Sequence, residues 1–175
     1  MNFSKFLIFL GILLIVLSGY LVYQRYSPKK LEFKNFSASA NTSSEINPVS
    51  ISIPSLGIKN VIIPSMIKDN KWEATTEGIS YLSSSPVPGQ DGNSILYGHN
   101  WPNILGDLSK IKPGEKIEIT MSNGERRIFT VEYTSVVNSS QTHILNQSTD
   151  KRITIYTCTG FLDSKRFVAT AILTK

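Results

Sequence analysis

One cysteine, two histidines and an arginine carry most of the chemistry that this 175-residue sequence offers. The cysteine, Cys158, ends the β-branched run ITIYTC; Arg166 follows eight residues on, and His99 lies upstream within SILYGHNW. A lone thiol has no partner for an intramolecular disulfide, which leaves three uses: a small buried hydrophobe, a metal ligand or a nucleophile. Free cysteines are among the most buried residues, so a core role is the plain alternative. A neutral thiol is a weak nucleophile, whereas a nearby imidazole and a fixed positive charge favour the thiolate and can later stabilise an oxyanion. This chain supplies both.

The spacing says how the groups meet. If Arg152 to Cys158 and Arg166 to Leu173 are successive strands, the connection Thr159 to Lys165, with Gly160 and Asp163, fits a hairpin loop. Cys158 and Arg166 then stand opposite one another on one face, with Cβ atoms about 5 Å apart. Taken alone, Arg166 reads equally as an ordinary strand-end charge. His99 follows the apolar run Ile95, Leu96, Tyr97, which breaks at Gly98 and so delivers the next side chain at a sheet rim. His143, after the polar stretch Asn138 to Thr142, reads as a loop residue. His99 is therefore the expected partner of Cys158, with a satisfied turn histidine as the alternative.

Together these pieces resemble the sortase family of bacterial cysteine transpeptidases. The resemblance rests on Thr157 and Cys158 within IYTC, close to the family's TLxTC strand end, on the strand that runs into Gly98 and His99, and on Arg166 at the start of the strand after the cysteine loop. The approach to the histidine, Gly78 to Asn100, with Pro88-Gly89 and Gly92-Asn93 before the strand, is also similar. It spans roughly Pro48 to Lys175. What it implies is a sortase-like eight-stranded barrel in which Cys158, His99 and Arg166 are catalytic. Thr157 and Tyr97 are candidate substrate-binding residues. Tyr156 departs from the family's smaller or aliphatic residue at that place, and the loop from Cys158 to Arg166 is short, so no subclass follows. The paired carboxylates that bind calcium in some members have no clear counterpart beyond Glu73 and Glu77. No metal or cofactor is expected.

Motif order argues against other cysteine and serine chemistries. Papain-like and cell-wall amidase enzymes place the cysteine before the histidine, the reverse of His99 and Cys158. The L,D-transpeptidases resemble a different pattern, with histidine and glycine immediately before the cysteine. A zinc site needs more Cys and His ligands than this chain has. A G-x-S-x-G elbow is absent.

The elements that position these groups are legible from texture. Phe6 to Tyr23 is an uncharged apolar stretch of membrane-spanning length, interrupted only by Ser18 and two glycines. A cleaved leader would have a shorter apolar region, and Ala38 to Ala40 lies too far downstream for ordinary processing. The expected organisation is a short tail at 1–5, a transmembrane signal anchor at 6–23, a flexible linker at 24–47 and a sortase-like catalytic domain at 48–175. The linker reading rests on the Ser- and Asn-rich, aperiodic stretch Ser27 to Asn47. From Pro48 onward, short β-branched runs alternate with turns such as Lys112-Pro113-Gly114 and Ser122-Asn123-Gly124. The Asn123-Gly124 pair suits a primed hairpin turn. The fold class expected is all-β: a closed or nearly closed barrel of seven to eight strands with short helices, preceded by one transmembrane helix.

Charge adds little. Of the net +5, the five basic and two acidic side chains before residue 49 account for +3, which leaves +2 for the domain. No basic stripe interleaved with aromatics is present, so nucleic acid is not an expected partner. Lys5 before the apolar stretch against Arg25, Lys29 and Lys30 after it points by a positive-inside count to a cytoplasmic domain. The resemblance implies the outer face, and a single-pass protein with an extracytoplasmic domain is the expectation followed. The partners it implies are an LPxTG-like sorting peptide of secreted proteins and an amine of a peptidoglycan precursor or pilin. A membrane-tethered barrel that binds peptide or wall polymer without chemistry, and a sortase-like hydrolase, are the alternatives.

Overall fold

The computed structural model describes residues 3–25, 27, 30–34, 36, 46–68 and 71–174. The first element is α1 (Phe3–Arg25). Between Phe6 and Tyr23 its large side chains are apolar on every side and exposed, from Ile8 and Phe9 to Leu21 and Val22. Ser4–Gln24 is long and apolar enough to cross a membrane. At 1.5 Å per residue, its 23 residues reach about 35 Å, more than the roughly 30 Å of bilayer hydrocarbon.

Ten strands follow among the described residues: β1 (Pro48–Ile53), β2 (Ile58–Ser65), β3 (Ile67–Lys68), β4 (Lys71–Trp72), β5 (Ile79–Leu82), β6 (Gly92–Gly98), β7 (Lys116–Met121), β8 (Arg126–Asn138), β9 (Lys151–Thr159) and β10 (Lys165–Leu173). Eight of them close into a barrel in the order β1-β2-β5-β6-β9-β10-β8-β7, while β3 and β4 form a separate two-stranded ribbon. The closed all-β fold expected from the sequence is the fold observed. The pairings β2 with β5 and β6 with β9 are parallel and the others antiparallel.

Alternation decides what each strand buries. Ile117, Ile119 and Met121 of β7, Ile153 and Ile155 of β9, and Ala169 and Ala171 of β10 join one buried cluster with Ile51, Ile53 and Phe129. The intervening residues Tyr156 and Cys158 of β9, Ile95 and Tyr97 of β6 and Val168 of β10 join a second cluster on the other face. Cys158 thus belongs to the outer face, and that face is also apolar and covered.

Two details differ from the sequence reading. The hairpin between β7 and β8 is present, but Asn123 does not have the positive φ that a primed turn requires. Gly124 N donates to Met121 O and Gly124 has φ +83°, so a tight turn is followed by a left-handed glycine, the three-residue loop with a bulge. Strand β5 also escapes the texture reading. All four of its residues are buried, which removes the alternation that marks a half-exposed strand.

Candidate active site

The site lies where β6, β9 and β10 end side by side. Cys158 is the direct antiparallel partner of Arg166, as the hairpin reading expects. Gly98 pairs with Thr157 in the parallel β6–β9 ladder, so the next residue on each strand is His99 on one and Cys158 on the other. The loop between Cys158 and Arg166 is tight: Gly160 has φ +79°, and Leu162 and Asp163, at +50° and +59°, are the only non-glycine residues at positive φ among those described. Side chains rarely sit there without compensation. Asn100 Nδ2 donates to Asp163 Oδ1 (2.9 Å) and Arg166 Nη1 donates to Asp163 O (3.1 Å), so the loop is fastened both to the histidine segment and to the arginine.

All three expected catalytic side chains are buried: Cys158, His99 and Arg166 expose 3%, 3% and 4%. His99 stacks on Trp101, with ring centroids 4.3 Å apart and planes 9° apart. Its Nε2 is buried and has no hydrogen-bond partner among the described residues. Burial pulls the His99 pKa below its usual value, and the Asp163 carboxylate opposes that. Burial pushes the Cys158 thiol up to about 12, while Arg166 draws it down. In this state the pair is held neutral.

Thr157 and Tyr97 have partners inside the protein. Thr157 Oγ1 donates to Gly98 O (2.8 Å) and ties the two strands just before the cysteine and the histidine. The Tyr97 hydroxyl bonds Ser65 Oγ (2.8 Å) and donates to Glu73 O. Its ring stacks on Tyr156, with centroids 5.5 Å apart. His143 is exposed in a 3-10 turn (Thr142–Leu145), in the connection between β8 and β9.

The cover over the thiol comes from the segment read by composition as linker. Residues 30–34 lie across the outer face as a strap; 37–45 fall outside the described residues. Leu31 is fully buried and Phe33 nearly so. Phe33 meets Tyr156 edge-on at 5.0 Å, and Phe36 lies 5.6 Å from Trp72. Leu31, Phe33 and Phe36 are too few to form a core, but they suffice to dock on an aromatic wall that the barrel already presents.

The strap is also hydrogen-bonded to the site. The Cys158 thiol donates to Lys30 O (2.9 Å), Tyr156 Oη to Leu31 O (3.1 Å) and Arg166 Nη2 to Glu32 O (3.2 Å). Lys34 N donates to Ser139 O (2.8 Å), and Lys30 Nζ to Leu162 O (2.6 Å). Burying one Leu and one Phe contributes about 3–6 kcal/mol. Five hydrogen bonds add about 1 kcal/mol each. Ordering five residues costs about 5–10 kcal/mol, which leaves the docked strap within a few kcal/mol of release.

Trp72, Trp101, Tyr156, Asn100 and Asp163 join the site without having been given a role there from the sequence. Asn100 and Trp101 had a local cue in their place directly after His99, Tyr156 in its place two residues before Cys158, and Asp163 in the hairpin loop; Trp72 had none.

A closed mixed barrel thus brings a cysteine and an arginine face to face across one hairpin, with a histidine following the neighbouring strand. A sortase-domain model matches residues 51–174. Sortase A of Listeria monocytogenes is 28% identical over 130 residues, which cover 72% of this chain and 56% of that protein. The match thus spans little more than half of that relative's length. Among solved structures, a lid mutant of sortase A from Corynebacterium diphtheriae has a TM-score of 0.63 at 26% identity, covering 75% of this chain and 73% of the other. The structure of Listeria monocytogenes sortase A has a TM-score of 0.60 at 27% identity, covering 75% and 89%. The chain belongs to the sortase family, a family of cell-wall transpeptidases.

Proposed function

We propose that the chain is a membrane-anchored transpeptidase that cuts a sorting-motif peptide through a thioacyl enzyme on Cys158. The reading is carried by one observation, the direct pairing of Cys158 with Arg166. The His99 strand ends beside them.

In the first half-reaction, the Cys158 thiolate attacks the carbonyl carbon of the threonine in an LPxTG-like motif. The C–N bond breaks, and His99, as imidazolium, gives its proton to the leaving amine. In the second, an amine of a peptidoglycan precursor or pilin loses a proton to His99, attacks the thioester and releases the thiolate. Arg166 supplies planar donors for the developing oxyanion, or holds the peptide carbonyl. Hydrolysis differs only in using water in the second step.

In this reading α1 is the anchor and the domain from Pro48 faces the outside of the cell membrane. The aromatic wall of Trp72, Tyr97 and Tyr156 forms the side of the peptide groove, and Thr157 acts by aligning the strands. The docked strap covers the thiol, so acylation requires its displacement. The test is turnover of a fluorogenic sorting peptide by the full chain in detergent, with and without an amine acceptor. Cleavage that is lost in Cys158→Ala supports the reading; cleavage that persists in that variant rejects it.

A further inference from the structure

His99 is buried at the rim, and its Nε2 has no hydrogen-bond partner among the described residues. The contact that fixes the plane of the ring is the Trp101 indole, 9° from parallel with centroids 4.3 Å apart. The indole is itself firmly seated. Trp101 O accepts hydrogen bonds from Ile104 N (2.9 Å) and Gly106 N (2.8 Å), and His99 O accepts one from Leu105 N (3.1 Å). Ile104 and Leu105 are buried in the barrel core, and Trp101 packs against the same cluster, so the turn that carries both rings is fixed to the barrel. Position 106 leaves no room for a side chain: a Cβ there would lie 2.8 Å from the carbonyl carbon and oxygen of Trp101.

A carboxylate behind an imidazole bonds one nitrogen and fixes the tautomer. An indole face bonds neither nitrogen, so a proton can arrive at the ring and leave it at the rim. The face also discriminates by charge, because its quadrupole attracts a cation within about 6 Å of the ring centre, and tryptophan does so more strongly than tyrosine or phenylalanine. Burial works against the charged form of His99, while Asp163 in the β9–β10 loop supports it. The other charged or titratable groups that face the site are Cys158 on β9, Arg166 on β10, and Lys30 and Glu32 on the segment across the outer face. The turn from Asn100 to Gly106 carries none. Trp101 is thus the neutral contact that favours imidazolium in a buried place.

We propose that Trp101 is a positioning residue for proton transfer: its indole face holds the His99 ring at the rim and favours imidazolium, the form that protonates the leaving amine, without occupying either nitrogen. The catalytic half of this proposal rests on the transpeptidase reading; the preference of the stack for a charged ring does not.

The test is an NMR titration of the full chain in detergent micelles. Its two histidines give two sets of imidazole signals, and the exposed His143 serves as the internal reference. Trifluorotryptophan in place of Trp101 keeps the shape of the indole and withdraws charge from its face. The His99 pKa should then fall by about half a pH unit to one, with His143 unmoved. Trp101→Phe, which keeps a weaker face, should move it in the same direction. With sorting peptide, kcat of the fluorinated chain above the His99 pKa should fall by about three- to tenfold, the same factor, with KM nearly constant. The alkaline limb of the kcat profile should move down with the His99 pKa. An unmoved His99 pKa in the fluorinated chain overturns the proposal, as does a moved pKa with unchanged kcat. A moved pKa in a chain whose parent turns over no sorting peptide would reject the transpeptidase reading, and the catalytic half of the proposal with it.

Discussion

The hydroxyl of Thr157 donates to the carbonyl of Gly98 across 2.8 Å, joining the residue before the cysteine to the residue before the histidine. The bond is fully buried and sets how far the two strand ends slide past one another. Thr157→Val keeps the β-branched shape and leaves the carbonyl without this partner, a cost of about 1–3 kcal/mol. Peptide kinetics should show a fall in kcat with KM nearly constant. A rise in KM alone would mean that Thr157 touches substrate.

The two histidines are sharply separated by place. His99 lies at the rim with the cysteine strand, whereas His143 is exposed on a connecting turn. Steady-state turnover of His99→Ala should fall about 100-fold or more, the usual loss for a general acid or base. His143→Ala should change little, and the reverse ranking would reassign the proton donor.

Arg166 is 4% exposed and gives its donors to Asp163 O, Lys165 O and Glu32 O. Lysine keeps the charge but lacks the planar fork. Arg166→Lys should therefore lower kcat about 100-fold, and Arg166→Ala at least as much, with peptide affinity changing less. Near-normal kcat for the lysine variant would reduce Arg166 to a nearby positive charge.

Burial raises the thiol pKa to about 12 and lowers that of His99. Alkylation needs thiolate, so its rate in the parent chain should climb about tenfold per pH unit from pH 6 to beyond pH 9 with no plateau. Freeing the strap lessens burial while Arg166 remains, so in Leu31→Ser with Phe33→Ser the curve should level off at lower pH. A plateau near neutral pH in the parent chain would contradict the buried, neutral thiol. The sign for stability is separate. His99 binds its proton more readily when unfolded, so its contribution is present above the ordinary histidine pKa and is lost as pH falls below it.

Much of this site was legible because strands at a barrel rim betray themselves. The β-branched run to Cys158, the short loop and the run after Arg166 determine a register in which the two residues face, and that register is present. The break at Gly98 likewise marks the end of β6. What escaped lacks a period. Leu31 and Phe33 are isolated apolar residues in a polar stretch, and their burial depends on Trp72 and Tyr156, far away in sequence. Trp72 itself sits in the two-residue β4, too short to show alternation. Asp163 belongs to the site through an irregular loop with two non-glycine residues at positive φ, which no pattern of residue types announces.

The central claim is a covalent one: that Cys158 carries the acyl group. Intact-mass measurement of the full chain in detergent, after brief exposure to a sorting-motif peptide without acceptor amine, tests it most directly. The expected result is a mass increase equal to the acyl fragment, confined to Cys158, discharged by added amine and absent from Cys158→Ala. Peptide cleavage with no such adduct at any time, or an adduct that persists in Cys158→Ala, would contradict it.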